Sequence, residues 1–170
     1  MQRPISNEYN SYFQSYINLV PEGDFFDLLE QNTADAVRFF EEIEPEKHNY
    51  RYAEGKWTIK DVLMHLIDTE RVMSYRALVA ARGDSKTPLP YMDEDAYAQN
   101  VNTFDRDMDS LIDEFVVVRS ATGYLFEYLT DEQSKLAGNA HAHPITPRAL
   151  GYIIIGHVQH HINVIQERYL

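Results

Sequence analysis

Apolar residues recur at three- and four-residue steps along four long stretches of this chain, a period that only α-helices can bury on one side. The first stripe reads Phe25, Leu29, Ala36, Phe40 and Ile43, from about Gly23 to a stop at Pro45. The second opens on Thr58, with Asp61 three residues on, the pattern of a capping box. Its stripe is Val62, His65, Thr69, Val72 and Arg76, and Gly83 ends it after about Arg82. Thr103 is a candidate cap for the third, which carries Met108, Leu111, Phe115, Val118, Thr122, Leu125 and Leu129. The fourth opens on Thr146-Pro147, a cap followed by proline at the first helical position. Leu150, Ile154, His157, His161, Val164 and Arg168 follow at helical steps.

No stretch alternates strongly enough to compete as a strand, and no segment repeats. The expected fold is therefore all-α: an up-down four-helix bundle with long crossover loops, one domain over residues 1–170. The first 21 residues, with Tyr9, Tyr12, Phe13 and Tyr16, are expected to pack along the bundle as a short helix. Residues 84–102 hold Pro88, Pro90, Tyr91 and Tyr97 and form a long connection of the kind that often serves as a lid.

Charge and composition exclude several functions. With 27 acidic and 15 basic residues the net charge is −12, which repels phosphate backbones and argues against nucleic acid as a partner. No apolar run is long enough to span a bilayer, and the N-terminus lacks a basic stretch followed by an apolar one. No membrane association and a cytoplasmic location are expected. The absence of cysteine removes disulfides, thiolate-bound zinc and a cysteine nucleophile, and fits a reducing compartment. Neither a phosphate-cradling glycine loop nor a Gly-x-Ser-x-Gly turn is present. The acidic run Asp93, Glu94 and Asp95 lacks the alternating ligands and turn glycine of a calcium loop.

Three histidines stand out against these exclusions. His157 and His161 are four residues apart, so their imidazoles point the same way from one helix, and His65 lies on the stripe of another. Together they could supply three ligands to a metal and leave coordination positions open for water or substrate. Asp61 and Asp68 flank His65 and could take its ring N–H, although capping and salt-bridge roles suit them as well. A single histidine on an apolar face is ordinarily a hydrogen-bonded core residue, and the spacing alone leaves that reading open beside metal binding. His160 points roughly 100° away from His161 and is expected on the surface or at a subunit contact. His141 and His143, in a loop, form a weaker second candidate pair. Arg76 and Arg168, inward on their stripes, could meet an anionic group of a substrate, a buried acid or a subunit contact. Tyr91 and Tyr97 could line a substrate mouth, with packing the plainer expectation.

The blocks Lys56-Trp57-Thr58-Ile59-Lys60-Asp61-Val62-Leu63-Met64-His65 and Gly156-His157-Val158-Gln159-His160-His161 resemble the DinB-like (DinB/YfiT-like) superfamily of metal-binding four-helix bundles. Tyr75-Arg76-Ala77-Leu78, Arg82-Gly83-Asp84, Val118-Arg119 and the closing Glu167-Arg168-Tyr169-Leu170 support the likeness, which covers nearly the whole chain. It implies a divalent metal ion, zinc or nickel, on His65, His157 and His161, and a homodimer. Relatives of this type include S-transferases that use bacillithiol and mycothiol-dependent isomerases; in the latter a glutamate matches His157, so the histidine here favours the all-imidazole type. Many others carry a metal-dependent hydrolase assignment.

The resulting expectation is a metal-dependent enzyme with a small-molecule substrate. Its leading form is a thiol S-transferase-like activity, in which the nucleophile arrives as a low-molecular-weight thiol cosubstrate. Metal-dependent hydrolysis is the alternative, weakened by the lack of a carboxylate on the stripes; Glu70 or Asp68 would serve only with a different helix rotation. A non-catalytic, metal-stabilised binding bundle is the third reading.

Overall fold

The computed structural model describes residues 1–140 and 143–170. Four long helices dominate: α2 (Phe25–Glu41), α3 (Ile59–Ala81), α5 (Met108–Glu127) and α7 (Pro147–Arg168). Short helices α1 (Gln14–Asn18), α4 (Glu94–Asn100) and α6 (Asp131–Ser134) sit in the connections. Helix α3 packs against α5 and α7, and α2 packs against the same two, so the consecutive helices α2 and α3 face each other across the core. The bundle is thus closed by long crossovers, as the stripe pattern requires.

The helix ends follow their local chemistry. Thr58 accepts from the Asp61 N–H at 3.0 Å, and the Asp61 carboxylate accepts from the Thr58 N–H at 2.9 Å, completing the capping box of α3. Gly83 leaves α3 at φ +78°, a left-handed conformation that glycine adopts without strain. Thr146 caps α7 through the Ala149 N–H, with Pro147 at the first position. The expected cap at Thr103 is not formed: α5 begins further on, with Asp107 at its N-cap position making no side-chain cap bond, and the Thr103 hydroxyl donates to Asp61.

The connections carry more structure than periodicity reveals. Strands β1 (Pro88–Leu89), β2 (Gly138–Ala140) and β3 (His143–Ile145) form a small sheet in the order β1-β2-β3, parallel then antiparallel. Strands of two or three residues are too short for an alternating pattern to register. This sheet fastens the connection after α3 to the one before α7.

Two apolar clusters fill the bundle. One gathers Phe40, Leu63, Ile67, Leu111, Phe115 and Ile162, the other Phe25, Phe126, Leu150, Ile153 and Ile154. Between them lies a buried polar group. Arg119 on α5 donates through Nε to both carboxylate oxygens of Glu70 on α3, at 2.9 and 3.0 Å, and through Nη1 to Asn32 on α2 at 3.0 Å. The Asn32 amide in turn donates to the Ile155 carbonyl of α7 at 3.4 Å.

The N-terminal segment is bound to α7. Glu8 accepts from the Thr146 hydroxyl at 2.9 Å and from Arg148 Nε at 2.6 Å. Further along, α1 lies directly on α7 at Gly156, where an added Cβ would stand 2.0 Å from the Tyr16 carbonyl oxygen. Backbone on backbone leaves no side chain to give way. Gly156→Ala is therefore expected to lower stability by about 1–3 kcal/mol in urea unfolding, by lifting α1 away from α7. An unchanged midpoint would show that α1 contributes nothing to the bundle.

Candidate metal centre

Histidines 65, 157 and 161 converge. His65 Nε2 and His161 Nε2 each lie 3.1 Å from His157 Nε2, and one nitrogen from each ring falls within 4.8 Å of the others. Two imidazole nitrogens bound to one zinc in tetrahedral geometry stand about 3.3 Å apart, given Zn–N near 2.05 Å. At right angles, as in six-coordinate geometry, the separation is about 3.0 Å for similar bond lengths. The observed spacing accepts either. Among the described residues no aspartate or glutamate joins the three imidazoles as a fourth ligand.

The far side of His65 fits the same arrangement. Its Nδ1 lies 3.4 Å from the Thr69 hydroxyl, one turn along α3, and that hydroxyl donates to Met92 Sδ at 3.8 Å. A proton on Nδ1 donated to Thr69 leaves the Nε2 lone pair pointing at the other two rings. Thr69 thus takes the place considered for Asp61 or Asp68. Asp61 is committed to the cap of α3 and to Thr103, and Asp68 pairs with Arg71.

Burial keeps these rings neutral. Desolvation, then the charge of His160, lowers His65 to about 4. Desolvation, then the charges of His65 and His160, lowers His161 to about 3. His157, with 8% of its surface exposed, is pushed well below its ordinary value by burial first and the neighbouring imidazoles second. Neutral imidazole is the ligating form.

The three rings lie in the wall of a cavity of about 580 Å³. Trp57 packs on His65 with ring centroids 4.7 Å apart, and Tyr16 of α1 meets His157 edge-on at 5.4 Å. Phe13, Tyr12 and Tyr91 continue an aromatic lining, while Met73 and Ile153 extend it between α3 and α7. Met92 and Glu94, from the connection between α3 and α5, complete one side, so that connection does border the cavity. Trp57, Tyr16 and Met92 were invisible as site residues because they lie off the histidine-bearing stripes and meet the cavity only through tertiary packing.

The other singled-out residues divide. His160 stays outside the group of three, yet it is half-buried, lines the cavity and packs on Tyr16 at 5.3 Å, so a plain surface role is corrected. His143 also lines the cavity, whereas His141 lies outside the described residues. Arg76 is buried against the cavity; Arg168 is exposed and donates to the Tyr52 hydroxyl at 3.4 Å. On α7, His157 and His161 face the cavity and Arg168 emerges into solvent, while Ile162, Ile165 and Tyr169 carry core contacts with Val164 packed against them. Tyr91 borders the cavity, and Tyr97 is outside its lining. Glu70 is held by Arg119 and is outside the lining of this cavity, although it borders a small separate pocket together with His157. His48 bonds the Ile43 carbonyl at 2.9 Å, a structural contact. No helix of the described residues is long and apolar enough to cross a membrane.

Comparison with known proteins agrees with this architecture. The DinB superfamily model matches residues 28–165. YfiT from Bacillus subtilis, described as a probable metal-dependent hydrolase with an unusual four-helix bundle topology, aligns with a TM-score of 0.75 at 20% identity. That alignment covers 98% of this chain and 90% of the other. A mycothiol-dependent maleylpyruvate isomerase aligns with a TM-score of 0.65 at 14% identity, covering 86% of this chain and 61% of its own. The chain thus spans less than two thirds of the isomerase, and at these identities the likenesses establish the fold. No curated protein matches the sequence.

The depressed imidazoles make stability depend on pH. Unfolded histidines titrate near 6.5, whereas His65 and His161 in the folded, chelator-treated protein hold out to about 4 and about 3. Between those values the unfolded chain binds more protons, so stability is complete above about pH 6.5 and is lost as pH falls. Denaturant unfolding across that range is expected to show the loss, and the double variant His65→Gln, His161→Gln to reduce its slope, with His157 keeping part of it. An equal slope in the variant would assign the effect to other groups.

Proposed function

The chain belongs to the DinB superfamily, and on that premise we propose that it is a metal-dependent enzyme whose divalent ion is held by His65, His157 and His161. The observation that carries this reading is the convergence of three neutral Nε2 atoms, 3.1 Å apart in two pairs, in the wall of a cavity large enough for a small molecule. Zinc and nickel both suit imidazole nitrogen. Three protein ligands leave coordination positions open, which favours a working site over a closed structural one.

We assign the reaction to thiol S-transfer. When bound, the ion would lower the pKa of a small thiol placed at its open position. The residues of the chain supply the rest. Trp57, Tyr16 and Phe13 line the cavity and offer flat apolar faces to an electrophile. Thr69 orients His65 through Nδ1. The chain itself contains no thiol, so the nucleophile must come with a cosubstrate.

Hydrolysis is the second reading, and one residue favours it. Glu94 at the edge of the cavity is a carboxylate able to accept a proton from water. It lies outside the imidazole group and is exposed, which leaves S-transfer ahead. A homodimer accompanies the family reading, and Val117, Tyr124 and Tyr128 offer exposed apolar surface on and just beyond one face of α5 for such a contact.

Metal analysis by mass spectrometry tests the site. His157→Ala and His161→Ala are each expected to lose stoichiometric zinc or nickel, and His160→Ala to retain it. Loss in His160→Ala alone would overturn the ligand set. Activity of the loaded protein with a panel of low-molecular-weight thiols and a model haloarene is expected to exceed that of the chelated protein. Equal rates with every thiol would sink S-transfer, and ester hydrolysis by the loaded wild-type protein that is lost in Glu94→Gln would favour hydrolysis.

A further inference from the structure

At the end of the cavity away from the imidazoles stands Arg76. It is 7% exposed and lines the cavity. Eleven residues separate it from His65, three turns on the same face of α3, so their Cα atoms are about 16 Å apart. The guanidinium leans back along the helix, with Nη1 3.7 Å from Met73 Sδ, and Nη2 donates to the Pro90 carbonyl at 2.6 Å. Both the cation and the imidazoles therefore look into one space, with Met73 and Ile153 between them.

This guanidinium lacks a counter-charge. No carboxylate lies within salt-bridge distance of it among the described residues, unlike Arg119, which holds the buried Glu70, and Arg148, which holds the partly buried Glu8. One carbonyl and one thioether leave most of its five N–H donors unused, and Nε has no hydrogen-bond partner among the described residues. A buried cation without a carboxylate partner is costly, and the cavity that Arg76 lines offers room for an anion. One guanidinium balances one negative charge and presents a planar fork, which matches a single carboxylate.

We propose that Arg76 is a substrate-recognition residue that binds the carboxylate of an elongated, otherwise apolar substrate whose other end reaches the three histidines. The inference builds on the metal-site reading for the position of the reacting end, while the carboxylate subsite itself needs only Arg76 and the cavity.

Octanoate and its uncharged analogue octanamide probe the subsite, with the fluorescence of Trp57, the only tryptophan, as readout at neutral pH. The wild-type protein is expected to bind octanoate about tenfold or more tightly than octanamide. Arg76→Gln is expected to bind the two equally, and Arg76→Lys to keep part of the preference. Retained octanamide binding in each variant shows that the cavity is intact; should Arg76→Gln not fold, wild type and Arg76→Lys still decide. Equal binding of both probes by wild type, or an undiminished preference in Arg76→Gln, overturns the proposal. So does a preference that appears only with added zinc and disappears in His161→Ala, since the carboxylate would then sit on the ion. Failure of the metal site alone leaves the octanoate preference of chelated protein in place, so the two readings fail separately.

Discussion

One buried guanidinium sets the register of the bundle. Arg119 joins α5 to α3 through Glu70 and to α2 through Asn32, and Asn32 reaches the backbone of α7. A glutamate and an arginine at 2% and 3% exposure are tolerable only when each satisfies the other, so the helices have one rotation that keeps both paired. Glu70 is five residues from His65, which turns the two roughly 140° apart on α3. With Glu70 fixed toward α5, His65 is directed at α7. This buried ion pair is therefore also the contact that aims the imidazole.

The same logic runs outward from that layer. Apolar clusters above and below hold the four long helices, and the imidazoles sit to one side where α3 and α7 meet. There the core gives way to a cavity lined by aromatic rings from the N-terminal segment and from the connection after α3. Chemistry of the proposed kind needs both conditions: rigid helices to hold ligands within tenths of an ångström, and a gap wide enough to admit a reactant.

Much of this was legible in the chain. Periodicity located the four long helices, the caps at Thr58 and Thr146 marked two of their starts, and three histidines on two stripes pointed to one place. What stayed hidden has physical causes. A cap depends on where the helix begins, and Thr103 lies ahead of the start of α5, where its hydroxyl donates to Asp61. A stripe names a face without saying what the face meets, so Arg168 emerged into solvent on the face that buries His157. His160, about 100° round the helix, still reached the cavity because α1 brings Tyr16 to it. Trp57 and Met92 became part of the site through contacts between distant segments, which no local pattern encodes.

The lining of the cavity is built by two kinds of chain. The imidazoles and Arg76 belong to long helices locked by the core, whereas Tyr12, Phe13, Tyr16, Tyr91 and Met92 stand on short segments laid against them. Reactivity and selectivity are thereby mounted on separate parts. Replacing rings on the outer segments would reshape what can enter while the nitrogen cluster beneath keeps its spacing, so a scaffold of this design can acquire new ligands without surrendering its chemistry.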